Sequence, residues 1–330
     1  MKNKKALIIG VTGQDGSYLA ELLLKKKYKV HAILRNVSLK KNKNRFWRIN
    51  EFKKKIIFHN ASLTEYKKLS NLIKKIKPHE IYHLAAQSYI NYRFDDEFFQ
   101  LNPNINGTHY ILSAIKNYSP KSKFYFASSS EMFGNVNSFP QNENTKLNPR
   151  SAYGISKVAG YQLTKNYREA HNLFACTGIL YNHESSRRGI NFVSKKIVNG
   201  VAKIHLKKKK KILLGDINAK RDWGYAGDYV LAMWKMLQQS KPSDYVIGTG
   251  KLHSVKDFLR ISFEYVGLNY KNYIEIDRKL IRPKDNAILK ANIFKAKKYL
   301  KWKPKVNFKN LVIDMIKSEI KLLQNDKTNK

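Results

Sequence analysis

The sequence predicts an α/β protein: a doubly wound parallel sheet with a smaller, discontinuous C-terminal domain. Two observations support this fold class. Apolar runs of strand length alternate with amphipathic stretches of helix length over the first half of the 330-residue chain, as a series of βαβ units requires. A glycine-rich turn also lies between the first apolar run and the first amphipathic stretch, where such folds bind phosphate groups.

The elements of the first half follow from their periodicity. Helices are predicted where apolar residues recur every three or four positions, and strands where short apolar runs are bounded by polar or turn-forming residues. The predicted strands are residues 5–11, 29–35, 55–61, 80–86, 123–129 and 174–182. The predicted helices are 17–26, 66–76 and 106–116, with a further helix that contains the YGISK segment at 153–157.

After residue 183 the pattern becomes less regular. Short strands and helices are expected near 192–205 and 254–267, and a helical tail over 293–325 is interrupted by a turn, WKPKV, at 302–306. We therefore predict two domains, the first of residues 1–182 with roughly 214–250, and the second of roughly 183–213 and 251–330.

The composition limits the class of protein. The chain has 64 Lys+Arg against 24 Asp+Glu, a formal net charge of +40. The lysine excess is spread along the whole chain, so specific nucleic-acid binding is not expected, although the positive field would attract a small polyanionic substrate. No apolar run is long enough for a membrane span. The single cysteine, Cys176, excludes intrachain disulfides and multi-cysteine metal sites and fits a cytoplasmic location; no metal site is expected.

The glycine-rich turn predicts a Rossmann-type dinucleotide site. Gly10, Gly13 and Gly16 follow the first strand and open the first helix. Glycine lets the backbone turn tightly and approach a pyrophosphate, while the helix N-terminus supplies N–H donors. Gln14 and Asp15 lie between these glycines and are assigned to the same site. A glycine-rich turn without a ligand is disfavoured because a strand precedes this one and a helix follows it.

The end of the second predicted strand indicates the type of dinucleotide. NAD sites usually offer an acidic residue there to the ribose 2′-hydroxyl. This chain instead has Arg35 and Ser38, which could pair with a 2′-phosphate, so NADP is favoured over NAD. The alternative is that Arg35 is one more exposed cation of a cationic protein.

Two further segments carry groups for chemistry on an alcohol. In YGISK, Tyr153 and Lys157 lie one helical turn apart, and an ammonium beside a phenol lowers the pKa of the phenol. SSSEMFG, at 128–134, places hydroxyls and the carboxylate of Glu131 at the end of a buried strand. A base, an acid and a hydroxyl in one site predict proton transfer at a substrate alcohol. By itself, a Tyr-x-x-x-Lys pair could equally be an ordinary helix surface.

With these segments in place, the chain resembles the extended short-chain dehydrogenases/reductases. Further stretches narrow the resemblance to the GDP-mannose 4,6-dehydratases. The most specific are NHESSRRG at 182–189 and RDWGYAGDYV at 221–230, and the resemblance runs from residue 6 to about 285. A WKP triplet at 302–304 also fits that family.

The resemblance implies a reaction in which GDP-mannose loses water to give GDP-4-keto-6-deoxymannose, with NADP as a catalytic intermediate. By motif position, Ser129 would hydrogen-bond the sugar 4-hydroxyl and Tyr153 would take its proton. Lys157 would hold the nicotinamide ribose. Glu131 would remove the C5 proton and protonate the departing 6-hydroxyl, a role that a simple reductase or epimerase does not need.

The resemblance also implies binding residues, so the first predicted domain would bind NADP and the second the nucleotide sugar. The implied additional cofactor contacts are Ala85, Ala86, His183 and Arg188. The implied substrate contacts are Ser88, Ser130, Asn182, Val193, Lys196, Arg221, Arg282 and Asp285. Arg187 and Arg188 could instead stabilise a subunit interface, and Trp223 is expected in the core rather than against guanine. The implied assembly is a homodimer or homotetramer.

Several positions depart from the family pattern. Asn36 stands where a second arginine is usual, which leaves NAD open as the cofactor. Ser62 replaces an aspartate, Asp285 replaces a glutamate, and Tyr92 and Arg93 replace smaller residues. These changes leave open a related enzyme that reduces or epimerises another nucleotide sugar. A nucleic-acid-binding protein that has kept this fold is supported only by the charge.

Overall fold

The computed structural model describes residues 4–35, 43–86, 94–136, 138–281 and 288–328. Its strands, in chain order, are β1 (Lys5–Ile9), β2 (Lys29–Leu34), β3 (Ile56–Asn60), β4 (Glu80–His83), β5 (Lys123–Ser129), β6 (Ala175–Leu180), β7 (His183–Glu184), β8 (Ile212–Leu214), β9 (Lys220–Asp222), β10 (Gly224–Tyr225), β11 (Tyr245–Ile247), β12 (Leu252–Ser254) and β13 (Ile274–Ile276). Its helices are α1 (Gln14–Lys25), α2 (Tyr66–Ile76), α3 (Phe94–Tyr118), α4 (Ala152–His171), α5 (Val193–His205), α6 (Ala226–Leu237), α7 (Val255–Tyr265), α8 (Phe294–Leu300) and α9 (Phe308–Thr328).

Seven strands form one sheet in the order β11-β6-β5-β4-β1-β2-β3. Every neighbouring pair in it is parallel. The predicted doubly wound sheet is therefore confirmed. The strand order reverses between β1 and β4, and in such sheets ligands bind in the crevice beyond the carboxyl ends of the strands at that point.

Helices cover both faces of the sheet, and each face has its own apolar core. Leu19 of α1 and Met233 of α6 belong to the core on one face. Ile73 of α2 and Ile111 of α3 belong to the core on the other. Because both faces are buried, the strands consist of nearly continuous apolar residues, as expected of a parallel sheet.

A third apolar core lies in the C-terminal part of the chain, where α5, α7 and α9 pack together. Trp223 is only 2 % exposed and stacks on Phe308 at a ring-centroid distance of 5.7 Å. The prediction that Trp223 is a core residue is therefore confirmed. Helix α8 packs instead against α6 and β11, on the side of the large sheet.

The main difference from the predicted elements is the start of α3. The helix begins at Phe94, twelve residues before the predicted start, and contains Pro103 in its interior. Proline in a helix interior removes a backbone hydrogen bond and normally predicts a break. The helix nevertheless packs along α4 and α2, and this tertiary packing outweighs the local preference.

No helix in the described ranges is long and apolar enough to cross a membrane. Among the same residues, no cluster of three or more His, Cys, Asp or Glu side chains could hold a metal ion.

Candidate active site

The glycine-rich turn connects β1 to α1 at the carboxyl edge of the sheet, and its geometry requires glycine. Gly10 has φ of +103°, and a Cβ there would lie 2.8 Å from the backbone nitrogen of Ala85. A Cβ on Gly16 would lie 2.1 Å from the carbonyl oxygen of Gly10. Gly13 precedes α1 as its N-cap and offers the helix no side-chain cap. The turn thus presents bare backbone at a helix N-terminus, which fits the pyrophosphate of a dinucleotide.

Tyr153 and Lys157 lie on the first turns of α4, whose N-cap Ser151 accepts a hydrogen bond from Gly154 N at 3.0 Å. Lys157 is buried; its Nζ donates to the carbonyl of Ala127 on β5 at 2.7 Å and lies 5.5 Å from the centre of the Tyr153 ring. Burial lowers the pKa of Lys157 to about 7, although the charge of Asp15 opposes this. The lysine is therefore tied to the strand that also carries the serines.

The pKa of Tyr153 is raised above its usual value, whereas the sequence argument expected it to be lowered. Burial is the main cause, and the charge of Glu131 adds to it, while a hydrogen bond with the Ser129 side chain and the charge of Arg188 act in the opposite direction. The physical reason is that, in the protein without ligands, loss of hydration disfavours the phenolate more than the nearby cations favour it.

Ser129 and Glu131 are held next to Tyr153 by the way β5 ends. Strand β5 runs into a single 3₁₀ turn, Ser130–Met132, in which Glu131 N donates to Ser129 Oγ at 3.3 Å. This turn packs against α4, and a Cβ on Gly154 would lie 2.8 Å from the carbonyl oxygen of Glu131. The sequence-predicted hydroxyl, phenol and carboxylate therefore belong to one small cluster at the sheet edge. Ser130 is buried in the same turn.

His183 and Asp15 form an ion pair between β7 and the first turn of α1. His183 Nε2 lies 2.8 Å from Asp15 Oδ2, and His183 Nδ1 lies 2.7 Å from the carbonyl oxygen of Tyr181. A carbonyl only accepts, so Nδ1 carries a proton, and Nε2 needs a second proton to bind a carboxylate. The ring is therefore an imidazolium. Burial alone would lower the pKa of His183, but Asp15 and the Tyr181 carbonyl raise it above its usual value. Burial alone would raise the pKa of Asp15, but His183 lowers it below its usual value.

Two arginines of segment 182–189 contact α1 and residues nearby in the chain. Arg187 forms an ion pair with Glu21 of α1 at 2.7 Å, and Arg188 forms one with Glu184 at 3.0 Å. The Arg188 guanidinium also lies 3.5 Å from the centre of the Phe192 ring. Segment 182–189 is thus fastened to the helix that follows the glycine-rich turn.

The other predicted site residues that the structure describes lie farther from one another than those of the cluster around Tyr153. Ala85 and Ala86 follow β4 and are half-buried, with the Ala85 backbone beside Gly10, and Arg35 is exposed at the end of β2. Asn182 is half-buried and its carbonyl accepts from Gly224 N at 2.9 Å. Val193, Lys196 and Arg221 lie on α5 and β9, outside the cluster around Tyr153. Ser38, Ser88, Arg282 and Asp285, together with Asn36, Tyr92 and Arg93, lie outside the described residues.

Two residues of this region were not assigned a role from the sequence, although the resemblance places the loop from Arg35 to Arg48 near the cofactor sites. Arg48 donates to the carbonyl oxygens of both Thr12 and Arg187. Tyr229 stacks on His183 with ring centroids 4.5 Å apart. Tyr229 lies inside RDWGYAGDYV, so the motif pointed to its neighbourhood, whereas no local pattern around Arg48 indicates a contact so distant in sequence.

Comparison with known proteins gives a consistent picture. The family model described as GDP-mannose 4,6 dehydratase matches residues 7–315. GDP-mannose 4,6 dehydratase 1 of Arabidopsis thaliana is 45% identical, over 98% of this chain and 92% of that protein.

Solved structures with the same fold are more distant in sequence. A dTDP-glucose 4,6-dehydratase from Bacillus anthracis in complex with NAD superposes with a TM-score of 0.82 at 21% identity, over 97% of this chain and 98% of the other. RMD from Pseudomonas aeruginosa, complexed with NADPH, gives 0.80 at 18% identity, over 97% and 100%. At these identities the likeness concerns the fold.

Proposed function

Because the chain belongs to the GDP-mannose 4,6-dehydratase family, we propose that it converts GDP-mannose to GDP-4-keto-6-deoxymannose with loss of water. It is an enzyme, a lyase of nucleotide-sugar biosynthesis. The observation that carries the assignment is the position of Glu131, two residues beyond Ser129 and beside the N-terminus of α4, because a carboxylate there is what a dehydration needs in addition to an alcohol-oxidising site.

The cofactor is a nicotinamide dinucleotide, and we propose NADP. When bound, it would accept hydride from the sugar C4 and return it to C6. Gly10, Gly13 and Gly16, with the first-turn residues Gln14 and Asp15, would hold its pyrophosphate. Arg35 at the end of β2 supports NADP, since a guanidinium suits a 2′-phosphate.

The oxidation step depends on Tyr153 and its neighbours. Ser129 would hydrogen-bond the sugar 4-hydroxyl, and Tyr153 as phenolate would take the proton from that oxygen. Burial opposes the phenolate, so a cation has to compensate. The ammonium form of Lys157, which is held one helical turn from Tyr153, would favour the phenolate and contact the nicotinamide ribose.

The elimination step would use Glu131. Oxidation of C4 to a ketone acidifies the C5 proton, which the Glu131 carboxylate would remove. The same carboxyl group would then give that proton to the departing 6-hydroxyl, so water leaves and a C5=C6 double bond forms. Addition of the stored hydride to C6 and of a proton to C5 would complete the reaction without net redox change, the proton that Tyr153 took from the 4-hydroxyl balancing the one lost from C5 in water.

Substrate binding would involve both the sheet edge and the C-terminal part of the chain. Ser130 and Asn182 are proposed to face the hexose, and Val193, Lys196 and Arg221 the GDP group, with Arg221 on the diphosphate. The further proposed substrate contacts are Ser88, Arg282 and Asp285. The further proposed cofactor contacts are Ser38, Ala85, Ala86, His183 and Arg188.

We also propose the division into an NADP-binding domain (1–182 with roughly 214–250) and a nucleotide-sugar-binding domain (roughly 183–213 and 251–330). The separate apolar core formed by α5, α7 and α9 supports it, while α8 packs on the first domain. The proposed assembly is a homodimer or homotetramer in the cytoplasm.

A direct assay tests the function. The purified protein is incubated with GDP-mannose and catalytic NADP⁺, and the product is analysed by mass spectrometry. We expect loss of one water without net consumption of the cofactor. Stoichiometric oxidation of NADPH with a keto sugar, and no dehydrated product from GDP-mannose, would assign the chain to reductase chemistry instead. Replacing NADP⁺ with NAD⁺ in parallel tests the cofactor.

A further inference from the structure

Three backbone carbonyls of segment 182–189 accept hydrogen bonds from side chains of three different elements. Gln14 Nε2 of α1 donates to the carbonyl of His183 at 3.0 Å. Lys195 Nζ of α5 donates to the carbonyl of Ser186 at 3.1 Å. Arg48 Nε, from the 3₁₀ helix Lys43–Ile49 between β2 and β3, donates to the carbonyl of Arg187 at 2.6 Å. Beyond β7, which pairs with β10, the segment belongs to no helix or strand, so these donors help to fix its path.

Lys195 is held in place by α9. The Lys195 side chain is 9% exposed and forms an ion pair with Glu319, whose side chain is 2% exposed. Asn199 Nδ2 donates to the other oxygen of Glu319 at 2.6 Å. A buried ion pair of this kind often contributes little to stability, because desolvation of the two charges offsets their attraction. What the pair does provide is a fixed ammonium that points at the Ser186 carbonyl.

Arg48 joins segment 182–189 to the glycine-rich turn. Its Nη1 donates to the carbonyl of Thr12 at 3.1 Å, while its Nε holds the carbonyl of Arg187. Only a planar guanidinium presents two donors in this fixed geometry. Burial and the charges of Arg188 and Arg187 lower the pKa of Arg48.

We propose that Arg48 and the Lys195–Glu319 pair are positioning residues of the dinucleotide site. They fix the carbonyls of Arg187 and Ser186 and thereby set His183 and Arg188 relative to the glycine-rich turn. None of the three needs to touch the dinucleotide. The inference rests on the proposed function, in which His183 and Arg188 bind the cofactor.

Two variants test the inference. In K195M/E319L an apolar pair of similar volume replaces the buried ion pair, so the fold has no unpaired charge but Ser186 loses its donor. In R48Q both carbonyls lose the guanidinium. The matched control is K211M/E275L, which makes the same substitutions at an exposed Lys–Glu pair that joins β8 to β13. For each protein, the Kd for NADP⁺, the Kd for GDP-mannose and the melting temperature are measured.

We expect both test variants to weaken NADP⁺ binding about tenfold, while the Kd for GDP-mannose and the melting temperature stay close to those of the control. If the role of these residues were merely structural, the substitutions would instead lower the melting temperature and weaken the binding of both ligands. Unchanged NADP⁺ binding by K195M/E319L and R48Q, with normal binding by the parent protein, would overturn the positioning role and leave the proposed function intact. Failure of the parent protein to bind NADP⁺ or NAD⁺ would overturn the proposed function and this inference with it. Should the double variant not fold, R48Q, which disturbs no buried ion pair, decides the question alone.

Discussion

The carboxylate of Asp15 and the imidazole of His183 are joined at 2.8 Å although the two residues are 168 positions apart in the chain. This contact connects the helix after the glycine-rich turn with the segment after β6. Because His183 Nδ1 is already committed to the Tyr181 carbonyl, the contact with Asp15 requires a charged ring. The ion pair therefore couples the two sides of the crevice electrostatically.

The first prediction concerns that pair. D15N should lower the free energy of unfolding by about 2 kcal/mol near neutral pH, because a hydrogen bond to a charged group is lost. The pKa of His183 is raised, so its contribution is complete below the usual value of 6.5 and disappears as the pH rises through the raised pKa. The pKa of Asp15 is lowered, so its contribution is lost only in acid, as the pH falls through the lowered pKa.

Urea unfolding of the parent protein and D15N over a range of pH checks this. The difference between the two should shrink as the solution becomes alkaline. D314N, which makes the same substitution at an exposed carboxylate on α9, is the control. A difference that does not change with pH would show that His183 is not charged in the folded protein.

The second prediction separates the two proton-transfer steps. Y153F should prevent oxidation at C4, and E131Q should allow it but block elimination, each lowering kcat by about 10²- to 10⁴-fold. Rapid mixing of NADP⁺-loaded enzyme with GDP-mannose, followed by nicotinamide absorbance, distinguishes them. Reduced cofactor should accumulate in E131Q and be absent in Y153F. Full turnover by E131Q would remove Glu131 from the mechanism.

The third prediction concerns the histidine pair on β2 and β3. His31 Nδ1 lies 2.9 Å from His59 Nε2, a contact that needs at least one neutral ring. Burial lowers the pKa of His31 to about 4, with the charges of His59, Lys29 and Lys5 acting in the same direction, and burial and Lys75 lower the pKa of His59. Because the unfolded histidines protonate first, stability should decline as the pH falls below 6.5 towards about 4.

Urea midpoints measured across that pH range in H31Q, H59Q and H205Q provide the check. The first two variants should reduce the acid dependence, whereas loss of the exposed His205 should leave it unchanged. The same acid dependence in H31Q as in the parent protein would contradict the assignment to this pair.

The fourth prediction concerns the glycine-rich turn. G16A should cost about 1–3 kcal/mol of stability and abolish dinucleotide binding, since the new methyl group would meet the Gly10 carbonyl. The control G267A introduces a methyl into open space at φ of +73°, so it should cost only about 1–2 kcal/mol of backbone strain. Thermal unfolding and NADP⁺ titration of the two variants provide the comparison. Normal binding by G16A would mean that α1 can move away from the turn.

The sequence predicted those features that depend on local periodicity and motif. Helix α2 has the predicted bounds because Leu69, Ile73 and Ile76 recur at helical spacing and are buried. The start of α3 was missed because Pro103 and its neighbouring asparagines normally end helices, and packing against α4 and α2 overrides them. β7 and β10 have two residues each, too few for any periodicity.

The candidate site shows the same difference between features that one short segment encodes and features that arise only from packing. The grouping of Tyr153, Lys157, Ser129 and Glu131 could be predicted because each lies in a short segment with its own signature. The raised pKa of Tyr153 was not, since it depends on how deeply α4 and β5 bury the phenol. The bridge from Arg48 to Thr12 and Arg187 depends on three separate stretches meeting in space, which no single stretch encodes.

The contact between Lys195 and Glu319 has a consequence for biosynthesis. During translation, the glycine-rich turn, the Tyr153 helix and segment 182–189 all leave the ribosome before α9 is made. Until Glu319 has been made, the Lys195 ammonium lacks its carboxylate partner, so the donor to the Ser186 carbonyl is not yet fixed in place. The positioning of segment 182–189 by Lys195 would thus be completed only near the end of synthesis, and a chain that stops shortly before residue 319 should lack the contact that fixes this ammonium.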